Sequence, residues 1–395
     1  MRREPLSILI ALQYYVPHRT GLTIHVQRIA EALARRGHRV SVLTARFRPD
    51  LPRDEQVING VRVIRLWAPI HVSRGMLMPA YPLAALRLAP DHDVISIHTP
   101  MIETPLFAAL ARAFHKGLVI THHGDLILPT GALNRLITWI TFQLYLIGGR
   151  TANHLIAYSQ DYADHSTYLG PFLDKTSPIY PPIAIPTPDP QQAELLRAKW
   201  LEGTNGTARL IGYAGRFVEE KRPDVLINAL ETIHQRYPGS RIVFAGEYDI
   251  SYENFFAQHA ELVERNRDSL VFLGLLTDEQ DVANFYAACD VLALPSDTEC
   301  FALVQVEAMR CGTPVVATDI PGAREVVRVT GMGLLSPAGD PQAFGRAIVE
   351  VLDHRAEFVK PRSQIDAIFN LEETVDRYEE LLYSAAEAAR ARSAL

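Results

Sequence analysis

Apolar positions along the 395-residue chain gather into short continuous runs separated by longer stretches of helical spacing. Leu6 to Leu12 predicts a first strand, and Ile24 to Arg36 an amphipathic helix stopped by Gly37. "HRVSVLT" predicts a second strand, and strand-like runs recur at Val61–Leu66, Val94–His98, Leu118–Thr121 and Leu155–Tyr158. Helical patterns such as Thr104–His115 lie between most of them, and this alternation predicts a doubly wound sheet. The pattern restarts at Arg209, where "RLIGYAG", "RIVFAGE", "LVFLG" and "DVLALPS" read as strands. Helices are expected at Asn254–Arg265 and Asp278–Ala288, with a long final helix over Glu372–Ala389.

Between the halves, "SPIYPPIAIPTPDP" is too rich in proline to form a packed element. It predicts a boundary between domains 1–182 and 183–370, with 371–395 as a C-terminal helix returning to the first. One helix stands out. Leu133–Ile147 repeats apolar residues at 133, 136, 137, 140, 144 and 147, with Trp139, Phe142 and Leu146 on another flank. A helix apolar nearly all round is expected in the core, with contact to a lipid acceptor or membrane surface as the second reading.

Composition narrows the class. Hydrophobic content of 48% and charged content of 21% describe an ordinary globular chain. A net charge of −6 excludes a global basic field that recruits nucleic acid. Cys289, Cys300 and Cys311 show neither metal-ligand spacing nor a disulfide framework, which fits a reducing cytoplasm. No run approaches the ~20 apolar residues that cross a bilayer. The expected location is cytoplasmic, with peripheral contact at the inner membrane face left open.

Candidate chemistry is densest over Asp290–Thr318, "DVLALPSDTECFALVQVEAMRCGTPVVAT". A strand ends at Pro295, a polar turn follows, and a helix is expected from Ala302 to Arg310, closed by Gly312. Glu299 and Glu307 bracket the loop-to-helix corner, and the first-turn amides of Phe301, Ala302 and Leu303 lack intrahelical partners. Backbone donors suit a phosphate or a sugar hydroxyl, and carboxylates suit hydroxyls. Together they describe a sugar nucleotide. The plain alternative is an ordinary α/β corner with a solvated glutamate.

Arg216, just past a strand, and Lys221, at the start of the next helix, add two cations suited to a diphosphate. In the first half, the loop "QYYVPHRTG" ends at Gly21, where the backbone can approach a ligand closely. "THHGD" follows a strand at its carboxyl end, where ligands bind in such sheets, and offers His122 and His123 as candidates. Asp91 and Asp93 form a D-x-D pattern ahead of a strand, at the amino end. They read as a cap or turn, and no essential metal is expected.

The signature segment resembles the E-x7-E motif of family-4 retaining glycosyltransferases, with Glu299 and Glu307 as its acids. "EAMRCGTPVVATDIPGAREVV" and "RRGHRV" resemble that family too, as do G-R-x-x-x-x-K over Arg216–Lys221 and T-x-H-x over Thr121–Gly124. Three features depart from its pattern. Gly21 stands alone where a glycine pair is usual, the N-G-[hydrophobic]-D turn near the linker is missing, and Ala302 replaces a customary glycine. The resemblance implies the GT-B fold, two Rossmann-like domains facing across a cleft. It implies hexosyl transfer from a nucleoside-diphosphate sugar to an acceptor hydroxyl, on a lipid or glycan precursor, with retention of configuration. Glu307 is then expected on the ribose, Glu299 and the Phe301–Leu303 amides on the sugar, and Arg216 and Lys221 on the diphosphate. His123 is expected near the sugar's primary hydroxyl. Two further readings stay open, a nucleotide-sugar 2-epimerase of the same fold and a non-catalytic sugar-nucleotide-binding protein. A nicotinamide dehydrogenase would require G-x-G-x-x-G, which is absent.

Overall fold

A computed structural model describes residues 3–72, 75–126, 131–248, 250 and 254–393. The chain divides into two compact units, Met1–Pro182 with Leu371–Leu395, and Ile183–Asn370.

In the first unit the apolar runs become β1 (Ser7–Ala11), β2 (Arg39–Arg46), β3 (Gln56–Ile58) and β4 (Val61–Trp67). A two-stranded antiparallel pair follows, β5 (Ile70–Val72) and β6 (Gly75–Leu77), then β7 (Val94–Thr99), β8 (Gly117–His122), β9 (His154–Ala157) and β10 (Thr176–Pro178). The main sheet runs β10-β9-β8-β7-β1-β2-β4-β3, parallel throughout except where β3 meets β4. Strand order reverses at β1, so the loops after β1 and β7 diverge at a switch point.

Helix α1 (Gly21–Arg35) begins three residues earlier than its apolar pattern predicts. A reciprocal cap explains this: Thr20 Oγ1 accepts from the Thr23 amide and Thr23 Oγ1 from the Thr20 amide. The C-terminal helix Leu371–Ser393 packs on the same unit and buries Val375, Tyr378, Leu382, Ala385 and Ala386 in its core. Gly117 permits this approach, since a Cβ there would lie 2.7 Å from the Ala385 carbonyl carbon. Burying Val375 and Leu382 is worth about 1.5–3 kcal/mol each. The rim ion pairs of Arg36 with Glu372, Asp376 and Glu379 add about 0–1 kcal/mol apiece. Packing holds the helix.

Helices α2 (Tyr81–Leu88), α3 (Thr104–Ala113) and α4 (Ala132–Thr151) lie side by side. The expectation that α4 is a core helix is corrected. Leu136, Ile137, Trp139, Ile140 and Ile147 are exposed, Trp139 at 60%, and only the face with Thr141, Tyr145, Gly148 and Gly149 is buried. Two glycines let α4 approach Thr104 and Phe172 closely, and the opposite apolar face is exposed among the described residues. The side chain of Leu133 lies outside the described residues.

The second unit holds β11 (Leu210–Ala214), β12 (Arg241–Ala245), β13 (Leu270–Gly274), β14 (Val291–Leu294), β15 (Val315–Thr318) and β16 (Gly333–Ser336). They pair in parallel in the order β13-β12-β11-β14-β15-β16, the dinucleotide-fold order, with its switch point between β11 and β14. Both units are thus α/β layers on parallel sheets.

Candidate active site

The loops leaving β11 and β14 meet at the second unit's switch point, because those strands are neighbours in the sheet. Lys221, in the turn Glu219–Lys221, places Nζ 2.6 Å from Glu299 Oε1, and Ser296 Oγ donates to the same oxygen at 2.9 Å. Arg216 Nη2 donates to Glu220 Oε1 at 3.1 Å. Two further bonds tie the loops: the Asp297 amide to the Glu220 carbonyl at 3.0 Å, and Arg222 Nη1 to Asp297 Oδ2 at 2.9 Å. Gly322, at φ 84°, passes directly beneath, where a Cβ would strike the Glu299 carbonyl.

The helix that follows runs Leu303–Arg310, one residue later than predicted. Ala302 precedes it at φ 58°, ψ 75°, the left-handed region that a glycine adopts at lower cost. This bend turns the loop into the helix, so the orphan first-turn amides begin at Leu303 rather than at Phe301. The Phe301 side chain is fully buried against Phe369. Glu307 lies half-buried on the helix and accepts a hydrogen bond from the Tyr286 hydroxyl at 3.2 Å. Burial, then the Glu307 charge, push the Tyr286 hydroxyl well above the ordinary phenol range, so it remains a donor.

In the first unit Gly21 opens α1 beside its Thr20 cap. His123 is half-buried one residue past β8, and its amide donates to the Thr99 carbonyl at 3.3 Å. Both ring nitrogens are engaged: Nε2 lies 2.8 Å from His98 Nδ1, and Nδ1 bonds the Tyr158 hydroxyl. His25, from α1, packs edge-on to His123 with ring centroids 5.0 Å apart, and its Nε2 meets the Tyr378 hydroxyl at 2.9 Å. Burial lowers the pKa of all three imidazoles, that of His98 to about 3, and they are neutral near pH 7.

His122 faces elsewhere. Its Nδ1 meets Thr99 Oγ1 at 2.8 Å and its Nε2 meets Asp125 Oδ1 at 2.9 Å. Burial alone would raise the Asp125 carboxyl; bonds from His122, Ser166 and the Thr167 amide outweigh it and hold its pKa low. Asp93 braces β1, accepting from the Ser7 amide and from Arg390.

The sequence reading missed His25 and His98. The only signal for His98 was a polar residue inside the buried run "VISIHT"; His25 gave none beyond its place on the apolar face of α1. Beside α4 lies a cavity of about 440 Å³ walled by Leu126, Trp139, Phe142, Tyr145 and Tyr168, with Asp125 at one side.

Two parallel α/β units, one carrying paired cations and carboxylates at its switch point, define a glycosyltransferase of the GT-B fold. Residues 20–182 match the glycosyl transferase 4-like domain and residues 197–367 the group 1 glycosyl transferases, and the chain belongs to that family, family 4. It is 27% identical to D-inositol 3-phosphate glycosyltransferase 1 of Catenulispora acidiphila, over 94% of this chain and 92% of the relative. It is 29% identical to the phosphatidyl-myo-inositol mannosyltransferase of Mycobacterium leprae, over 84% and 83% respectively. Among solved structures, HepE of Anabaena in complex with UDP and glucose shares the fold. Its TM-score is 0.76 at 22% identity, covering 96% of this chain and all of that one.

Proposed function

We propose that the protein transfers a hexosyl unit from a nucleoside-diphosphate sugar to an acceptor hydroxyl with retention of configuration, without a metal in the step. The observation that carries this reading is that the loop after β11, which holds Arg216 and Lys221, meets the loop after β14 at the switch point, with Lys221 bonded to Glu299. Arg216 and Lys221 neutralise the charge that develops on the departing diphosphate, a task a metal performs elsewhere. Lys221 is paired with Glu299 and Arg216 with Glu220, so a diphosphate at this place exchanges one anion for another. Glu307 holds the ribose hydroxyls. Glu299 and the first-turn amide of Leu303 orient the sugar, and Gly21 and His123 serve the donor. HepE, crystallised with UDP and glucose, supports a nucleotide of that kind.

The mannosyltransferase relative supports an acceptor with a lipid portion. The exposed apolar face of α4 and the cavity beside it suit that acceptor. Helices α2 to α4 carry exposed Arg87, Arg112, Arg135 and Arg150 and no acidic residue. On a chain of net charge −6 this is a local cationic, apolar face matched to an anionic membrane surface. Among the described residues no helix is long and apolar enough to cross a membrane.

A melting panel with nucleoside diphosphates and their sugars tests the donor assignment. A ligand at a hundred times its Kd stabilises by about 2.7 kcal/mol. A panel in which no nucleoside diphosphate raises the melting temperature contradicts it. Transfer is expected to persist in a chelator; loss restored only by magnesium or manganese would remove the metal-free step.

A further inference from the structure

The first unit's switch point holds a group of side chains that the transfer reading uses only in part. One ring nitrogen from each of His25, His98 and His123 lies within 4.8 Å of the others. His98 Nδ1 and His123 Nε2 face each other at 2.8 Å. Each ring has its other nitrogen directed at a hydroxyl: His25 Nε2 at Tyr378, His98 Nε2 at Ser96 Oγ 3.4 Å away, and His123 Nδ1 at Tyr158. The nitrogens left over are His25 Nδ1, His98 Nδ1 and His123 Nε2. Of these, His25 Nδ1 is fully buried and has no hydrogen-bond partner among the described residues. A buried ring nitrogen without a partner is costly, and it marks a place where something else is accommodated.

We propose that His25, His98 and His123 form a binding site for one divalent transition-metal ion of the zinc type, and that its occupancy withdraws His123 from the donor. Histidines that ligate a metal have the second ring nitrogen fixed by a hydrogen-bond partner, which sets tautomer and ring direction. All three rings already have such partners. Neutral imidazole is the ligating form, and three such ligands plus one solvent position suit a tetrahedral zinc-type ion. At Zn–N distances of about 2.0–2.1 Å, tetrahedral ligand nitrogens stand about 3.3 Å apart. The His98–His123 contact of 2.8 Å therefore opens slightly on binding, and the His25 nitrogen closes in. The ion replaces the proton shared by His98 and His123 and gives His25 Nδ1 its missing partner. The site itself is independent of the transfer reading; its effect on transfer rests on the role given to His123 above.

Cobalt titration of tag-free protein tests this. The expected result is visible d–d absorption that saturates at one equivalent and is bleached by zinc. Tyr378→Phe keeps the ring packing and removes one orienting hydroxyl, so it weakens cobalt binding about ten- to a hundredfold. His98→Asn abolishes it. No absorption in the wild-type protein, or unchanged affinity in both variants, overturns the site. In a second arm, zinc lowers transfer and a chelator restores it; full transfer with the site saturated overturns the link to His123. Should no nucleoside diphosphate bind at all, the donor reading fails while the cobalt bands still report on the site.

Discussion

The two parallel sheets place their ligand-facing chemistry at the same topological location and furnish it in opposite ways. At the β11/β14 switch point the groups are charged, half-exposed and mutually paired, Lys221 with Glu299 and Arg216 with Glu220. At the β1/β7 switch point they are neutral, mostly buried imidazoles tied to hydroxyls. Solvation decides the difference. A cation keeps its charge where water or a carboxylate reaches it; burial in the first unit drives the imidazoles neutral instead. Substitutions should therefore cost activity in one place and stability in the other.

The largest effect is expected at the charged site. Lys221→Ala and Arg216→Ala each lower turnover on the order of 100-fold or more, with melting temperature nearly unchanged. Rates compared with melting curves check this; wild-type turnover in both variants removes the diphosphate assignment. At the neutral site, His25→Phe fills the space and removes the imidazole partner of the Tyr378 hydroxyl. A loss of about 1–3 kcal/mol in denaturant unfolding is expected, and no loss would show that the hydroxyl finds another partner.

A smaller effect separates backbone from side chain. Ala302→Gly relieves a left-handed alanine, and stability should rise by up to about 1 kcal/mol. A fall instead would mean that the methyl group packs to advantage. On the outer face, Trp139→Ser with Ile140→Ser should reduce sedimentation with anionic vesicles and leave stability unchanged. Equal sedimentation of variant and wild type would detach α4 from the membrane proposal.

The same contrast explains what could be read in the chain. Strands buried on both faces appear as unbroken apolar runs, and β7, β8 and β14 were legible for that reason. The apolar repeat of α4 was equally plain, but the repeat shows only that a face is apolar. Whether protein, lipid or water covers it depends on the fold and its partners. Arg216, Lys221 and Glu299 were singled out by their resemblance to the family's motifs, since charged residues in loops after strands are too common for spacing alone to mark them. His25 and His98 were not, because their environment comes from elements far apart in sequence, α1, β7 and the C-terminal helix. The left-handed bend at Ala302 was also hidden, since the glycine that would signal it is replaced.

The central claim is that the acids of the signature helix and its loop have different partners on one donor, and calorimetry with a nucleoside diphosphate tests it most directly. Glu307→Ala loses the ribose contact, a charge-assisted bond worth about 1.5–3 kcal/mol, so affinity falls roughly ten- to 150-fold. Glu299→Ala releases Lys221 to the diphosphate and loses only sugar contacts, so nucleotide affinity is retained while transfer collapses. Equal nucleotide affinity in wild type and Glu307→Ala would contradict the account and leave Glu307 an ordinary residue on a helix surface.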